Sequence, residues 1–117
     1  MAVRKSGQLV LFRFPQTDLL PGKLRPALLL APLPSAHSDW LACMISSQLS
    51  RAVAGFDEII DSKDADFSQS GLKTTSVIRL TRLAVVEDSI LIGAIGEISA
   101  ARLSMLKRRL AEWIKSG

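Results

Sequence analysis

The chain has 117 residues, a length that predicts one domain over residues 1–117. Its composition, with 48% hydrophobic and 22% charged residues, excludes a disordered or fibrous protein. Its net charge of +4 is compatible with a polyanionic partner without being specific for one. One cysteine and one histidine cannot build a zinc or iron–sulfur site, and we expect no metal and no cofactor.

The N-terminal segment and the apolar stretches predict where the protein resides. Residues 1–7 are not followed by the apolar core of a signal peptide, and no uncharged apolar stretch approaches the ~18 residues that a membrane span needs. We therefore expect a soluble, cytoplasmic protein with no membrane contact. Cys43 lies in the apolar run 40–45 and is expected to be a buried free thiol, and His37 is expected in a solvent-exposed loop.

The first half of the chain predicts three strands. The first covers Gln8–Phe14, between a glycine and a proline, and is expected to be buried on both faces for part of its length. A hairpin-like loop over 15–22 leads to a second strand over Lys23–Ala31. After a second proline-containing loop, the third strand covers Asp39–Ser46.

The second half predicts three more strands and fits no clear element over residues 47–55. The strands cover Phe56–Asp61, Gly71–Arg82 and Ser89–Gly96, separated by a polar loop over 62–70 and a turn at 87–88. Gly93 favours a bend or bulge in the last strand.

The strand Gly71–Arg82 is rich in β-branched residues and has one mostly polar face, because side chains alternate along a strand. That row comprises Thr75, Val77, Arg79 and Thr81. It is typical of a solvated outer face, which the pattern alone favours. It also fits the floor of a phosphate site, because arginine offers a fixed fork of donors to an oxyanion.

Charge is unevenly distributed along the chain. Residues 57–66 hold five acids and one lysine, a local net charge of −4, which leaves +8 for the remaining residues. A basic body with one acidic segment is compatible with a polyanionic partner, because basic surfaces attract phosphates at long range.

The C-terminal region predicts a helix with Ser99 as its N-cap. An apolar stripe at helical spacing is expected to pack on the sheet, and it comprises Leu103, Leu106, Leu110, Trp113 and Ile114. For the cations 107–109 on the other face, a solvated surface and an RNA contact both remain open. Short, evenly spaced strands before one helix predict a mainly β fold, a small curved antiparallel barrel capped by the helix.

Four segments in order carry a resemblance to a known family. They are 7–12, a glycine followed by an apolar strand; 24–30, an Arg-Pro followed by an aliphatic strand; 44–48, Met-Ile-Ser-Ser-Gln, with Ala-Gly-Phe at 54–56; and 74–79. In this arrangement the chain resembles the PemK/MazF family of type II toxin–antitoxin endoribonuclease toxins. The resemblance covers nearly the whole chain.

The resemblance implies a fold, an activity and partners. Members of the family fold as an SH3-like barrel with a C-terminal helix, form homodimers and pair with a cognate antitoxin protein. They are mRNA interferases that cleave single-stranded RNA at specific sequences without a metal. The ribose 2′-hydroxyl attacks the neighbouring phosphate and leaves a cyclic phosphate and a 5′-hydroxyl.

The resemblance also implies site residues. The catalytic positions match Arg25, Ser46 and Arg79, with Arg25 binding the scissile phosphate. The substrate-binding positions match Ser47, Phe56, Thr75, Val77 and Thr81. Structural alternatives remain: Arg25 pairing with a neighbouring acid, Ser46 and Ser47 capping a strand end, and Phe56 in the core.

Two positions depart from the PemK branch. Leu19 stands where that branch has a histidine, and Thr81 stands where it has an aspartate. Both changes remove groups that titrate near neutral pH, and arginine is a poor base. Asp18, beside Leu19, is the nearest substitute as a proton-transfer group.

The alternative is a catalytically weakened or non-nuclease binding protein of the same fold, for example one that acts on gyrase. The gyrase-poison branch uses its extreme C-terminal residues, including a tryptophan. Here Trp113 fits the apolar stripe, which favours a core position for it.

Overall fold

The computed structural model describes residues 3–13, 24–35 and 38–117. The strands are β1 Gln8–Arg13, β2 Leu24–Pro32, β3 Asp39–Ser46, β4 Glu58–Ile60, β5 Ser76–Glu87 and β6 Gly93–Glu97. The helices are α1 Phe67–Ser70 and α2 Ala100–Ser116, and 3-10 turns cover Leu49–Arg51 and Asp88–Ile90. The expected loop over 15–22, with Asp18 and Leu19, and the expected exposure of His37 lie outside the described residues.

These strands form one antiparallel sheet in the order β4-β5-β3-β2-β1-β6. The sheet curls into a half-barrel, and α2 packs on one of its faces. The predicted mainly β fold with one C-terminal helix is confirmed. The predicted bounds of β3 are those observed.

The sheet has a hydrophobic cluster on each face, and β1 contributes to both. Leu9 is fully buried in the cluster that includes Leu106 of α2, and Val10 is fully buried in the opposite cluster with Trp40. The expected burial of the first strand on both faces is therefore confirmed. Burying one such side chain contributes about 2 kcal/mol to folding.

The start of α2 follows the prediction, and its end does not. The Ser99 hydroxyl accepts a hydrogen bond from the Arg102 amide at 3.1 Å, which makes Ser99 the N-cap. Leu106 and Leu110 are buried, but every residue from 111 to 117 is exposed. Trp113 is 54% exposed, so its predicted core position is wrong. The apolar stripe continues past the last turn that the sheet covers.

β5 begins later and ends later than the predicted strand Gly71–Arg82. Gly71 instead ends α1, with a φ of +77°, and a Cβ there would lie 2.1 Å from the Ile95 carbonyl oxygen. A residue with a side chain would be strained and would clash. The predicted polar loop 62–70 therefore contains a helical turn, and the strand starts at Ser76.

The last strand is shorter than predicted, and its irregularity lies elsewhere. The 3-10 turn Asp88–Ile90 replaces its first residues, and β6 starts at Gly93. Leu9 pairs with Gly96 and Val10 pairs with Ala94, so the extra residue is Ile95. The bulge predicted at Gly93 is two residues further along the chain.

Cys43 is fully buried and free, as predicted. Burial raises the pKa of its thiol, and the negative charge of Asp57 acts in the same direction. The thiol therefore stays protonated.

No helix within residues 3–13, 24–35 and 38–117 is long and apolar enough to cross a membrane.

Candidate active site

A cavity of about 850 Å³ opens between β2, β3 and β5. Among the described residues, five cationic side chains line it: Arg25, Arg51, Lys73, Arg79 and Arg82. None of the described residues that line it is acidic or histidine. The cavity therefore concentrates five positive charges on a chain whose net charge is +4, an arrangement suited to a polyanion.

The register of the sheet brings together residues that are distant in sequence. Ala27 of β2, Met44 of β3 and Arg79 of β5 form one row across three strands. Because neighbouring strands are antiparallel, Arg25 and Ser46 both lie two residues beyond this row in the same direction. Arg25, Arg79 and the Ser46 hydroxyl consequently line the same cavity, and Ser47 follows directly.

An irregularity in β5 adds a second guanidinium from this strand. Met44 pairs with Arg79, but the preceding residue Cys43 pairs with Leu83, so residues 80–82 form a bulge. In a regular strand, positions 79 and 82 would lie on opposite faces. Here both Arg79 and Arg82 line the cavity, and the predicted alternation fails beyond Arg79.

The guanidinium groups of Arg25 and Arg79 are available for a ligand. Arg79 is half-buried, and its Nε is a buried donor with no hydrogen-bond partner among the described residues. Arg25 is exposed and makes no ion pair with any acid in residues 3–13, 24–35 or 38–117. A buried unpaired donor costs free energy that an anionic ligand would recover.

The serines end β3 at the rim of the cavity. The Ser46 hydroxyl oxygen accepts a hydrogen bond from the Gln48 amide at 3.0 Å, which leaves its hydrogen able to donate. Gln48 in turn accepts a hydrogen bond from Arg51 Nε through its side-chain oxygen. Both Gln48 and Arg51 line the cavity. One short turn thus supplies hydroxyl, amide and guanidinium groups.

The comparison with known families agrees with the resemblance noted from the sequence. A model of the PemK-like, MazF-like toxins of type II toxin–antitoxin systems matches residues 5–114. The chain belongs to this family. Type II toxins of this kind imply an antitoxin partner. A sequence search against curated proteins gives no significant match.

Four residues predicted to bind substrate in this PemK/MazF family member do not line the cavity. Val77 is fully buried, and the Thr75 hydroxyl accepts a hydrogen bond from the Ser62 amide at 3.0 Å. The Thr81 hydroxyl donates to Asp57, and Phe56 is half-buried against Trp113, with ring centroids 5.7 Å apart. Their contacts with substrate stay predictions.

Sequence reasoning missed several cavity residues. They are Gln48, Arg51, Lys73, Thr74, Ser76 and Arg82. Their charge and polarity were visible, but their convergence depends on the β5 bulge and on the turn after β3. Neither feature has a local sequence signal.

Acidic side chains of the segment 57–66 form ion pairs with α2 and hold it against the sheet. Arg102 binds Glu58 at 3.1 Å, Asp64 at 2.8 Å and Asp66 at 2.9 Å. Of the cations at 107–109, Arg109 donates to the Phe56 carbonyl oxygen at 2.9 Å, which gives it a structural role. Glu58, Asp64 and Asp66 are therefore engaged by α2, and no acid of the segment 57–66 lines the cavity.

Hydrogen bonds shift the pKa values of two of these carboxyl groups. The Arg102 side chain lowers the pKa of Asp66 against the opposing effect of burial. The Asp61 amide and then Arg102 lower the pKa of Asp64.

Within the described part of the chain, no group of three His, Cys, Asp or Glu residues is placed to hold a metal ion.

Proposed function

We propose that the chain is the toxin of a type II toxin–antitoxin system and acts as a metal-independent endoribonuclease on single-stranded mRNA. The observation that carries the proposal is the convergence of Arg25, Ser46, Ser47 and Arg79 on one cavity, whose described lining residues include no acid. Family membership supports the toxin role. The cleavage chemistry is our inference from the groups in the cavity.

In the proposed reaction, the ribose 2′-hydroxyl oxygen attacks the adjacent phosphorus and the bond from phosphorus to the 5′-oxygen breaks. The products are a 2′,3′-cyclic phosphate and a 5′-hydroxyl. Negative charge builds on the non-bridging oxygens in the transition state. Arg25 and Arg79 donate to these oxygens from two sides, and the Ser46 hydroxyl adds a third donor. Each such donor contributes on the order of 100-fold to the rate.

The reaction also moves two protons. The 2′-hydroxyl must lose a proton, and the leaving 5′-oxygen must gain one. The described residues that line the cavity contain no carboxylate or imidazole, and Leu19 and Thr81 occupy the two positions where the PemK branch has such groups. We propose Asp18 as the proton-transfer group.

The size and charge of the cavity favour a flexible single strand as the substrate. A volume of about 850 Å³ is within the range of ordinary ligand pockets, and it accommodates an unstacked nucleotide and its phosphate. Ser47 lines the cavity, and we retain Phe56, Thr75, Val77 and Thr81 as proposed substrate contacts outside it. Phe56 would stack on a base, as aromatic side chains do in single-strand binders.

The proposed chemistry is tested by removing the attacking group. A long single-stranded RNA incubated with the protein and a chelator should yield fragments with 5′-hydroxyl ends. An oligonucleotide that carries 2′-deoxyribose at the mapped cleavage position should stay intact, while its all-ribose version is cut. Cleavage of the deoxy version would exclude attack by the 2′-hydroxyl.

We further propose a homodimer that is inhibited by its cognate antitoxin in the cytoplasm. Exposed apolar side chains on the strands favour self-association, among them Leu24, Leu83 and Val85. An acidic, partly disordered antitoxin segment would lie across the cationic cavity and block the phosphate site. Sedimentation of the free protein would test the dimer.

A second candidate function is supported by the exposure of the last helical turn. Trp113 is 54% exposed and Ile114 is 63% exposed, so neither side chain is confined to the core. Both could contact a protein partner, as expected of a binding protein without nuclease activity, such as one that acts on gyrase. Intact RNA after incubation with the folded protein, together with gyrase inhibition that is lost in Trp113→Ala, would favour this candidate over the nuclease.

A further inference from the structure

Asp57 is a buried carboxylate that lies outside the cavity and links two of its walls. It is 6% exposed. Its Oδ2 accepts a hydrogen bond from the Val53 amide at 2.9 Å, and its Oδ1 accepts one from the Thr81 amide at 3.0 Å. The Thr81 hydroxyl is 3.1 Å from both carboxylate oxygens.

The first wall is the turn after β3. Residues 48–51 supply Gln48 and Arg51 to the cavity. Asp57 closes the chain that follows, because its own amide donates to the Val53 carbonyl oxygen at 2.9 Å while its carboxylate accepts from the Val53 amide. Arg51 is thus two residues from a position fixed by two hydrogen bonds.

The second wall is the bulge of β5. Leu80 is buried in the core, and the backbone and side chain of Thr81 are both held by Asp57. With these two residues fixed on the far side, Arg82 is directed into the cavity beside Arg79. The bulge is stabilised by a side chain more than twenty residues earlier in the chain.

We propose that Asp57 is a positioning residue for the cation array of the cavity. By holding Val53 and Thr81 together, it aims Arg51 and Arg82 at the phosphates that flank the scissile one. The inference rests on the proposed function only in taking the RNA backbone as the ligand.

Each side-chain oxygen of Asp57 accepts a hydrogen bond from a backbone amide, Val53 on one side and Thr81 on the other. In Asp57→Asn, one side-chain atom becomes an NH₂ group that faces the Val53 amide or the Thr81 amide and hydroxyl, at nearly unchanged volume. Asp57→Asn should therefore release one wall without opening a large void. Thr81→Val removes only the hydroxyl bond and leaves the bond from the Thr81 amide in place.

The test measures binding of a single-stranded 2′-O-methyl RNA, which cannot be cleaved because it has no free 2′-hydroxyl. The slope of log Kd against log salt reports the number of phosphates contacted, about 0.7 for each in a single strand. Arg82→Ala should reduce the slope by about one contact, and Asp57→Asn should reduce it by one or more. Because Asp57→Asn and Arg82→Ala both act through Arg82, the fold-loss of affinity in the double variant should be smaller than the product of the two single fold-losses.

Asp66→Asn is the matched control, because Asp66 is similarly buried at 5% exposed but binds Arg102 of α2 and holds no residue that lines the cavity. It should lower stability and leave the salt slope unchanged. Thr81→Val should shift the slope in the direction of Asp57→Asn, because it removes the hydroxyl bond to the Asp57 carboxyl group.

The positioning role would be overturned if Asp57→Asn kept the wild-type salt slope. It would also be overturned if the fold-loss of affinity in the double variant with Arg82→Ala equalled the product of the two single fold-losses. A wild-type protein that binds the 2′-O-methyl RNA but leaves ordinary RNA intact would overturn the proposed nuclease while the role of Asp57 stands. A wild-type protein that binds no RNA would overturn both.

Discussion

Arg102 and Asp66 meet as a planar fork. Arg102 Nε donates to Oδ2 of Asp66 at 2.9 Å and Nη2 donates to Oδ1 at 3.0 Å, with the Asp66 residue 5% exposed. Asp66 also accepts a hydrogen bond from the Ser99 amide at 3.0 Å, directly before α2. This relationship fixes where the helix starts and how it lies on the sheet.

Replacing Arg102 should destabilise the fold. Arg102→Ala would leave the buried carboxylate of Asp66 without its cation, and breaking such a pair costs about 3 kcal/mol or more. The free energy of unfolding from urea denaturation measures the loss. Arg108→Ala, on the exposed side of the same helix, should change it by less than about 0.5 kcal/mol. Equal losses in the two variants would contradict the fork as an anchor.

The same contacts predict acid sensitivity. The pKa values of Asp66 and Asp64 are lowered in the folded state, so the unfolded chain binds protons first as the pH falls. Their contribution to stability is present above the unfolded pKa, about 3.9, and is lost as the pH drops through the lower folded values. The urea concentration at the unfolding midpoint should decrease as the pH drops below about 4, and it should decrease less steeply in Arg102→Ala. Parallel pH profiles would exclude this origin.

The Ser46 hydroxyl should act as a phosphate donor in cleavage. Ser46→Ala removes a hydrogen bond to a charged group, worth about 1.5–3 kcal/mol, so the rate should fall roughly 10- to 100-fold. Ser46→Thr keeps the hydroxyl and should retain most activity. Single-turnover cleavage of a labelled RNA separates the two variants, and equal rates would remove Ser46 from the proposed catalytic set.

The sequence predicted those parts of the fold that local patterns determine. β3 has the predicted bounds Asp39–Ser46, because an apolar run lies between polar loops, and Ser99 caps α2 through an ordinary N-cap hydrogen bond. Gly71 ends α1 and does not start a strand, because a glycine before a β-branched run is compatible with either role. Its φ of +77° and the 2.1 Å distance that a Cβ would have to the Ile95 carbonyl oxygen favour the helix end.

The candidate site was predictable only in part. The resemblance placed Arg25, Ser46, Ser47 and Arg79 in one site, and the structure brings these four to one cavity. Arg82 was not predicted there, because its direction depends on the bulge held by Asp57. Trp113 continues an apolar stripe whose cover ends at Leu110, and helical periodicity carries no information on where the sheet stops.

The central claim is that the guanidinium groups of this cavity drive metal-free RNA cleavage, and the cleavage rate of Arg25→Ala in the presence of a chelator tests it most directly. Arg108→Ala, with the same change of charge away from the cavity, is the control. We predict that Arg25→Ala is about 100-fold slower or more, while Arg108→Ala matches the wild type. Wild-type cleavage by Arg25→Ala, or intact RNA with the folded wild-type protein, would contradict the account.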